Sequence, residues 1–119
     1  MNTENIQTQM RRGALELCTL SLLAKGDAYT NDIVNALRDA EMIVVEGAIY
    51  PLLTRLKNAG YLSYRWEESP QGPPRKYYEL TDSGRAYLAL LTEAWKSTVT
   101  AVNRLIEDPA NGQSNNSNL

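Results

Sequence analysis

At 119 residues with a 43% apolar fraction, the chain can form one domain with a real core, yet is short enough to leave apolar surface for a subunit interface. Its net charge of −2 excludes a uniformly basic nucleic-acid coat but leaves room for a local basic patch. With no histidine, one cysteine and no glycine-rich phosphate loop, it lacks the commonest general base and any zinc or copper ligand set, so no enzyme, metal site or cofactor is expected.

The opening MNTENIQTQMRR lacks the basic, apolar and small-residue order of a secretion signal. No apolar run approaches the ~20 residues of a membrane span, so a cytoplasmic protein without a membrane partner is expected. From residue 6 to 24 apolar residues recur at helical spacing, and Lys25-Gly26-Asp27 closes the segment. Leu15, Leu22 and Leu23 suit a core, while Ile6, Met10, Ala14, Leu17 and Ser21 form a second stripe that something else must cover. Cys18, inside this pattern, reads as a small core residue; the redox-sensor alternative would need an exposed, electropositive setting.

Thr30 or Asn31 is placed to cap a second helix carrying Ile33, Val34 and Leu37 and ending near Ala40. Residues 42–45 are a short apolar strand or link. A third helix over 46–58 ends at Gly60, a left-handed cap. At about 100° per residue, Ile49, Leu52, Leu53, Leu56 and Ala59 share its core face. Gly47, Ala48, Pro51, Thr54, Arg55 and Asn58 face outward, with Tyr50 and Lys57 on the flanks. Small, hydroxyl and guanidinium groups on one face suit entry into a major groove, although a solvated helix face would read the same way. Pro51 removes one backbone bond within this helix, which favours a special entry angle over pure stability.

Residues 61–66 and 75–80 alternate as strands around the turn-forming EESPQGPP. Arg75 and Lys76 on the returning strand, with Arg65 and Arg85 nearby, suit phosphate or minor-groove contact. Glu67 and Glu68 weaken that field, and as strand neighbours they point apart, which leaves no paired acid/base site. Residues 46–85 carry six basic and five acidic residues, a net +1, so binding there would depend on placement and on doubling through a dimer. The last helix opens at Thr81-Asp82-Ser83 and runs to about Glu107. Leu88, Leu91, Trp95, Thr98, Val102 and Leu105 are spaced as an a/d heptad seam, the pattern of a self-associating helix pair. The Asn-, Ser- and Gly-rich residues 108–119 read as a disordered tail.

The fold class is therefore mainly α with a small two-stranded β wing: a winged helix-turn-helix over residues 1–80 and a C-terminal dimerisation helix over 81–107. The stretches LSLLAKGDAYTNDIV, AIYPLLTRLKNAGYL and PRKYYELTDSGRAYL together resemble the PadR-like transcriptional regulators, and the single C-terminal helix is similar to the short branch that includes multidrug-binding repressors. The resemblance implies a two-fold homodimer, with each last helix on the partner's first and last helices. It also implies double-stranded operator DNA as partner, each third helix in a major groove and each wing alongside. The DNA-facing residues carried over by position are Ala48, Tyr50, Pro51, Thr54, Arg55, Arg75 and Lys76, joined by the flanking Lys57. The sequence departs from the family at Val45, where Ser, Thr or Asn often caps the third helix, and at Ala48, where Thr is common.

Trp95 falls where drug-binding members present an indole at the dimer centre. Two indoles could sandwich a planar aromatic molecule, with Met10, Ala14, Leu17, Ser21, Leu88 and Leu91 as walls. Packing of the dimer core is the other reading of the same tryptophan. The overall expectation is a dimeric repressor released by an aromatic or multidrug-like ligand. The alternatives are a winged-helix protein-interaction module without DNA binding and, more simply, a structural dimerisation domain.

Overall fold

A computed structural model describes residues 3–42 and 46–107. In chain order the elements are α1 (Thr3–Arg12), α2 (Leu15–Lys25), β1 (Ala28–Tyr29), α3 (Thr30–Asp39), α4 (Glu46–Asn58), β2 (Leu62–Ser69), β3 (Gly72–Leu80) and α5 (Asp82–Glu107). They fall into two compact units that divide between Ala89 and Leu90. The expected fold class holds. The wing gains a third strand, because β1 pairs antiparallel with β3 and gives the order β1-β3-β2. Two residues are too few to show an alternating pattern, so β1 is not visible in sequence.

The helix expected over residues 6–24 is two helices. It breaks at Gly13, the residue least favourable to helix in that stretch. There the Ala14 N–H donates to the Arg11 carbonyl at 2.9 Å, and the Cys18 N–H begins α2 by donating to Ala14. Of the expected core leucines only Leu23 is buried; Leu15 and Leu22 are half-buried, and Thr19 and Leu20 are the other buried residues of α2. Cys18 is half-buried, and burial pushes its thiol pKa up, the opposite of a reactive thiolate. The second helix starts one residue early: Tyr29 is its N-cap, and the Tyr29 N–H donates to the Asp32 carboxylate at 3.4 Å. Of the expected link 42–45, Met42 donates its N–H to the Leu37 carbonyl, and residues 43–45 lie outside the described residues. The expected tail 108–119 also lies outside them.

Helix α4 has the expected bounds, and its apolar face follows the 3.6-residue period. Ile49, Leu52, Leu53 and Leu56 are buried and join Leu20, Leu23, Ile33, Val34 and Leu37 in the core set, which Leu62, Tyr78 and Leu80 complete. Ala59 is exposed, because the helix has already ended. The Tyr61 N–H donates to Leu56 and the Gly60 N–H to Lys57, each at 3.0 Å, with Gly60 at φ +87°. This double closure needs a left-handed residue, which glycine adopts without strain.

The strands are longer than expected, since β2 and β3 run to Ser69 and from Gly72 and leave only Pro70 and Gln71 as the turn. Pro73 and Pro74 lie at a register shift between the Glu67–Arg75 and Ser69–Gly72 pairs, as fits residues that cannot donate to a ladder. At the base of the wing, Thr81 joins three elements. Its N–H donates to the Tyr61 carbonyl at 3.1 Å and its hydroxyl to the Gly60 carbonyl at 2.7 Å, while its Oγ1 accepts the Gly84 N–H at 2.9 Å. Thr81→Ala removes the N-cap of α5 and the tie to Gly60. A loss of about 1–2 kcal/mol is expected, read from the urea midpoint at unchanged m-value.

Candidate nucleic-acid interface

The helical period that buries one face of α4 leaves Gly47, Ala48, Tyr50, Pro51, Thr54, Arg55, Lys57 and Asn58 exposed on the rest of its circumference. Space beyond Gly47 is open, and the small side chains there let another backbone come close. The helix continues through Pro51, whose missing N–H would have met the Gly47 carbonyl one turn back.

Strand alternation and register decide the wing. Tyr64 lies opposite Tyr78 and Trp66 opposite Lys76, so these four share one face with Leu62 and Leu80. Arg65, Glu67, Arg75, Tyr77 and Glu79 share the other, together with Tyr29 of β1. Arg75 and Lys76, adjacent in sequence, therefore point to opposite sides of the wing.

Electrostatics separates the two faces. On the first, the Lys76 ammonium lies 4.4 Å from the Tyr64 ring centroid and 5.4 Å from that of Trp66, and the Lys57 ammonium of α4 lies 5.6 Å from the same Tyr64 ring. Two cations from different elements are thus gathered around one aromatic ring, where cation–π attraction holds them without neutralising their charge. Trp66 is 62% exposed and meets Tyr64 edge-on with centroids 6.3 Å apart. Tyr78 anchors this face in the core, and its pKa is pushed up by burial first, then by Tyr64 and Tyr50.

On the second face, the Arg65 guanidinium donates to Asp27 at 2.7 Å and to Glu67 at 2.8 Å, with Glu79 at 3.7 Å. Its pKa is pushed up by the hydrogen bond to Glu67 first and Asp27 next, and its charge is spent within the chain. Arg75 stacks on the Tyr29 ring at 4.6 Å and is exposed.

Arg55, on the outward side of α4, lies 3.4 Å from Glu16 of α2. The other Glu16 oxygen accepts the Tyr87 hydroxyl at 3.0 Å, and that hydrogen bond is the first cause of the raised Tyr87 pKa. Neither the Lys57–Tyr64–Lys76 cluster nor the Glu16–Arg55 pair is visible in sequence. The first becomes legible once the turn is placed at Pro70-Gln71, because that fixes which strand residues face one another.

Of the residues expected to line a ligand site, Met10 is on α1 and exposed, while Ala14, at the N-cap of α2, and Leu17 and Ser21 on α2 are half-buried. The Ser21 hydroxyl donates to the Leu17 carbonyl at 2.8 Å. On α5, Leu88 and Leu91 are half-buried and Trp95 is 49% exposed; further along, Val102, Leu105 and Ile106 are exposed as well. Among the described residues no helix is long and apolar enough to cross a membrane.

Comparison with known proteins agrees with this geometry. The profile of the PadR-like transcriptional regulator family matches residues 19–90, which run from α2 through the wing into α5. A PadR-like transcription factor from Bacteroides fragilis is 53% identical, aligns over 85% of this chain and 98% of its own, and superposes with a TM-score of 0.70. A PadR family transcriptional regulator from Eggerthella lenta is 32% identical over 87% of this chain and 91% of its own, with a TM-score of 0.80. A PadR-like regulator from Bacillus cereus is 33% identical over 84% and 98%, with a TM-score of 0.73. The matched span includes α4 and the complete wing, so the likeness extends to the elements that carry the exposed cationic faces. The chain therefore belongs to the PadR-like family of transcriptional regulators.

Proposed function

We propose that the protein is a homodimeric repressor that binds a palindromic operator through α4 and the wing and is released by a planar aromatic ligand. The observation that carries DNA binding is that α4 and the wing each bring a cation to the Tyr64 ring, Lys57 at 5.6 Å and Lys76 at 4.4 Å from its centroid. In this reading Ala48, Tyr50, Pro51, Thr54 and Arg55 enter the major groove, and Lys57 and Lys76 hold the phosphate strand between groove and wing. Arg75 faces away from that strand and contributes less. The test is fluorescence anisotropy with the duplex upstream of the protein's own gene, across a salt series. Absence of salt-dependent binding would favour an interaction module instead.

Dimerisation is supported by the second unit, a helical segment whose Trp95, Val102 and Leu105 side chains are left exposed, Leu105 at 80%. Most helical stability in a protein comes from packing an amphipathic face, and a second copy of the same seam would cover this one. Sedimentation equilibrium should give a dimer, with residues 81–107 acting as the dimerisation helix of a winged domain formed by 1–80.

The ligand site of this reading is Trp95 with Leu88, Leu91, Met10, Ala14, Leu17 and Ser21 around the dimer axis. Release requires the ligand to bind one spacing of the two α4 helices better than the other. Planar aromatic compounds are expected to quench tryptophan fluorescence, and Trp95→Ala to abolish the effect while Trp66→Phe preserves it. Quenching that survives Trp95→Ala would sink the stacking role.

A further inference from the structure

Glu16 lies at the meeting point of three helices of the first unit. Its Oε2 is 3.4 Å from Arg55 Nη2 on α4, and its Oε1 accepts the hydroxyl of Tyr87, in the second turn of α5, at 3.0 Å. The Tyr87 ring is stacked on Tyr61 with centroids 4.1 Å apart and planes 10° from parallel, so the group that orients Glu16 is itself held. The two partners differ in freedom, since the Glu16 side chain is 24% exposed and that of Arg55 is 63% exposed. The carboxylate is the fixed member of the pair and the guanidinium the movable one.

A carboxylate and a phosphodiester present the same charge and a similar two-oxygen edge to a guanidinium, so they compete for it. We propose that Glu16 is a positioning residue that retains Arg55 in the free protein and competes with DNA for it. The inference rests on the DNA-binding reading of α4. An exposed pair with one contact at 3.4 Å is weak, which is the property a releasable contact needs. Arg55 can leave for a phosphate or guanine edge, but binding pays by leaving Glu16 without its cation. Because Tyr87 belongs to α5, a movement at the start of that helix would change how firmly Glu16 holds Arg55.

The test is a cycle of Glu16→Gln, Arg55→Ala and the double variant in the full-length protein, titrated with the upstream duplex. Glu16→Gln should tighten binding by about two- to five-fold per subunit, the range of an exposed ion pair. The salt slope should stay close to the wild-type value, because Arg55 neutralises the same phosphate in both forms. In the Arg55→Ala background the same change should have little effect on either quantity. A second readout needs no DNA: modification of Arg55 by phenylglyoxal, followed by peptide mass spectrometry, should be several-fold faster in Glu16→Gln than in wild type. A protein that binds DNA but whose Glu16→Gln variant binds no tighter, or equally so without Arg55, overturns this inference alone. Equal modification rates overturn it as well. Failure of every form to bind DNA overturns the DNA reading and this inference together.

Discussion

Replacing Gly84 with alanine is expected to cause a large loss of stability among single substitutions at the base of the wing. Gly84 is buried in the first turn of α5, and a Cβ there would run into the Tyr61 carbonyl oxygen and come within 2.7 Å of Leu80 Cδ1. The carbonyl is backbone, and it already accepts the Thr81 N–H, so it cannot rotate aside without breaking that hydrogen bond. Overpacking of this kind costs about 1–3 kcal/mol, occasionally more, and here the obstacle is main chain rather than a flexible side chain. For a domain of this size each kcal/mol lowers the melting temperature by roughly 4–8 °C. Gly13→Ala is the control: nothing lies within 4 Å of its Cβ position, so its effect should stay within about 1 kcal/mol. Thermal melts at one protein concentration would compare them, since association also shifts apparent stability. Equal melting temperatures for the two variants would contradict the close approach at Gly84.

The second large effect concerns DNA. Lys57→Ala with Lys76→Ala removes both ammonium groups gathered around Tyr64, one from α4 and one from β3. If each meets a phosphate, the salt slope should fall by about 0.9 per lysine, or roughly 3.6 for the four lysines of a bound dimer. Affinity at moderate salt should drop by orders of magnitude, across specific and non-specific duplexes alike, because phosphate contacts position without reading sequence. Arg65→Ala should leave the slope nearly unchanged, since that guanidinium is engaged by Asp27, Glu67 and Glu79. Arg75→Ala should fall between, because Arg75 is exposed but on the opposite face of the wing from Lys57. A larger loss from Arg65 than from the lysine pair would refute this division of the two faces.

Burial across α2, α3 and α4 follows the helical period, and α4 kept its expected bounds and its outward face because a 13-residue helix with Gly60 beyond its end is specified locally. Where local signals were weak, expectation and structure part. Gly13 divides a stretch whose apolar spacing reads as continuous, since periodicity does not register a two-residue break. The acidic and proline-rich residues around the wing tip look like loop, yet they pair as strand to within a two-residue turn. Pairing energy comes from the opposite strand and cannot be read from one strand alone.

By itself the sequence determined the bounds and buried face of α4, the apolar seam on α5 and the family, because each depends on residues near one another in the chain or on a linear motif. Only the tertiary structure decided which charges remain available. In sequence Arg55, Lys57, Arg75 and Lys76 read alike as DNA-facing cations, with Arg65 beside them. Folding ties Arg65 to three carboxylates and Arg55 to Glu16, sends Arg75 and Lys76 to opposite faces, and brings both Lys57 and Lys76 to the ring of Tyr64. The reason is physical: Coulomb and cation–π interactions act over a few ångströms of space, and Asp27 and Arg65, or Glu16 and Arg55, lie nearly forty residues apart along the chain.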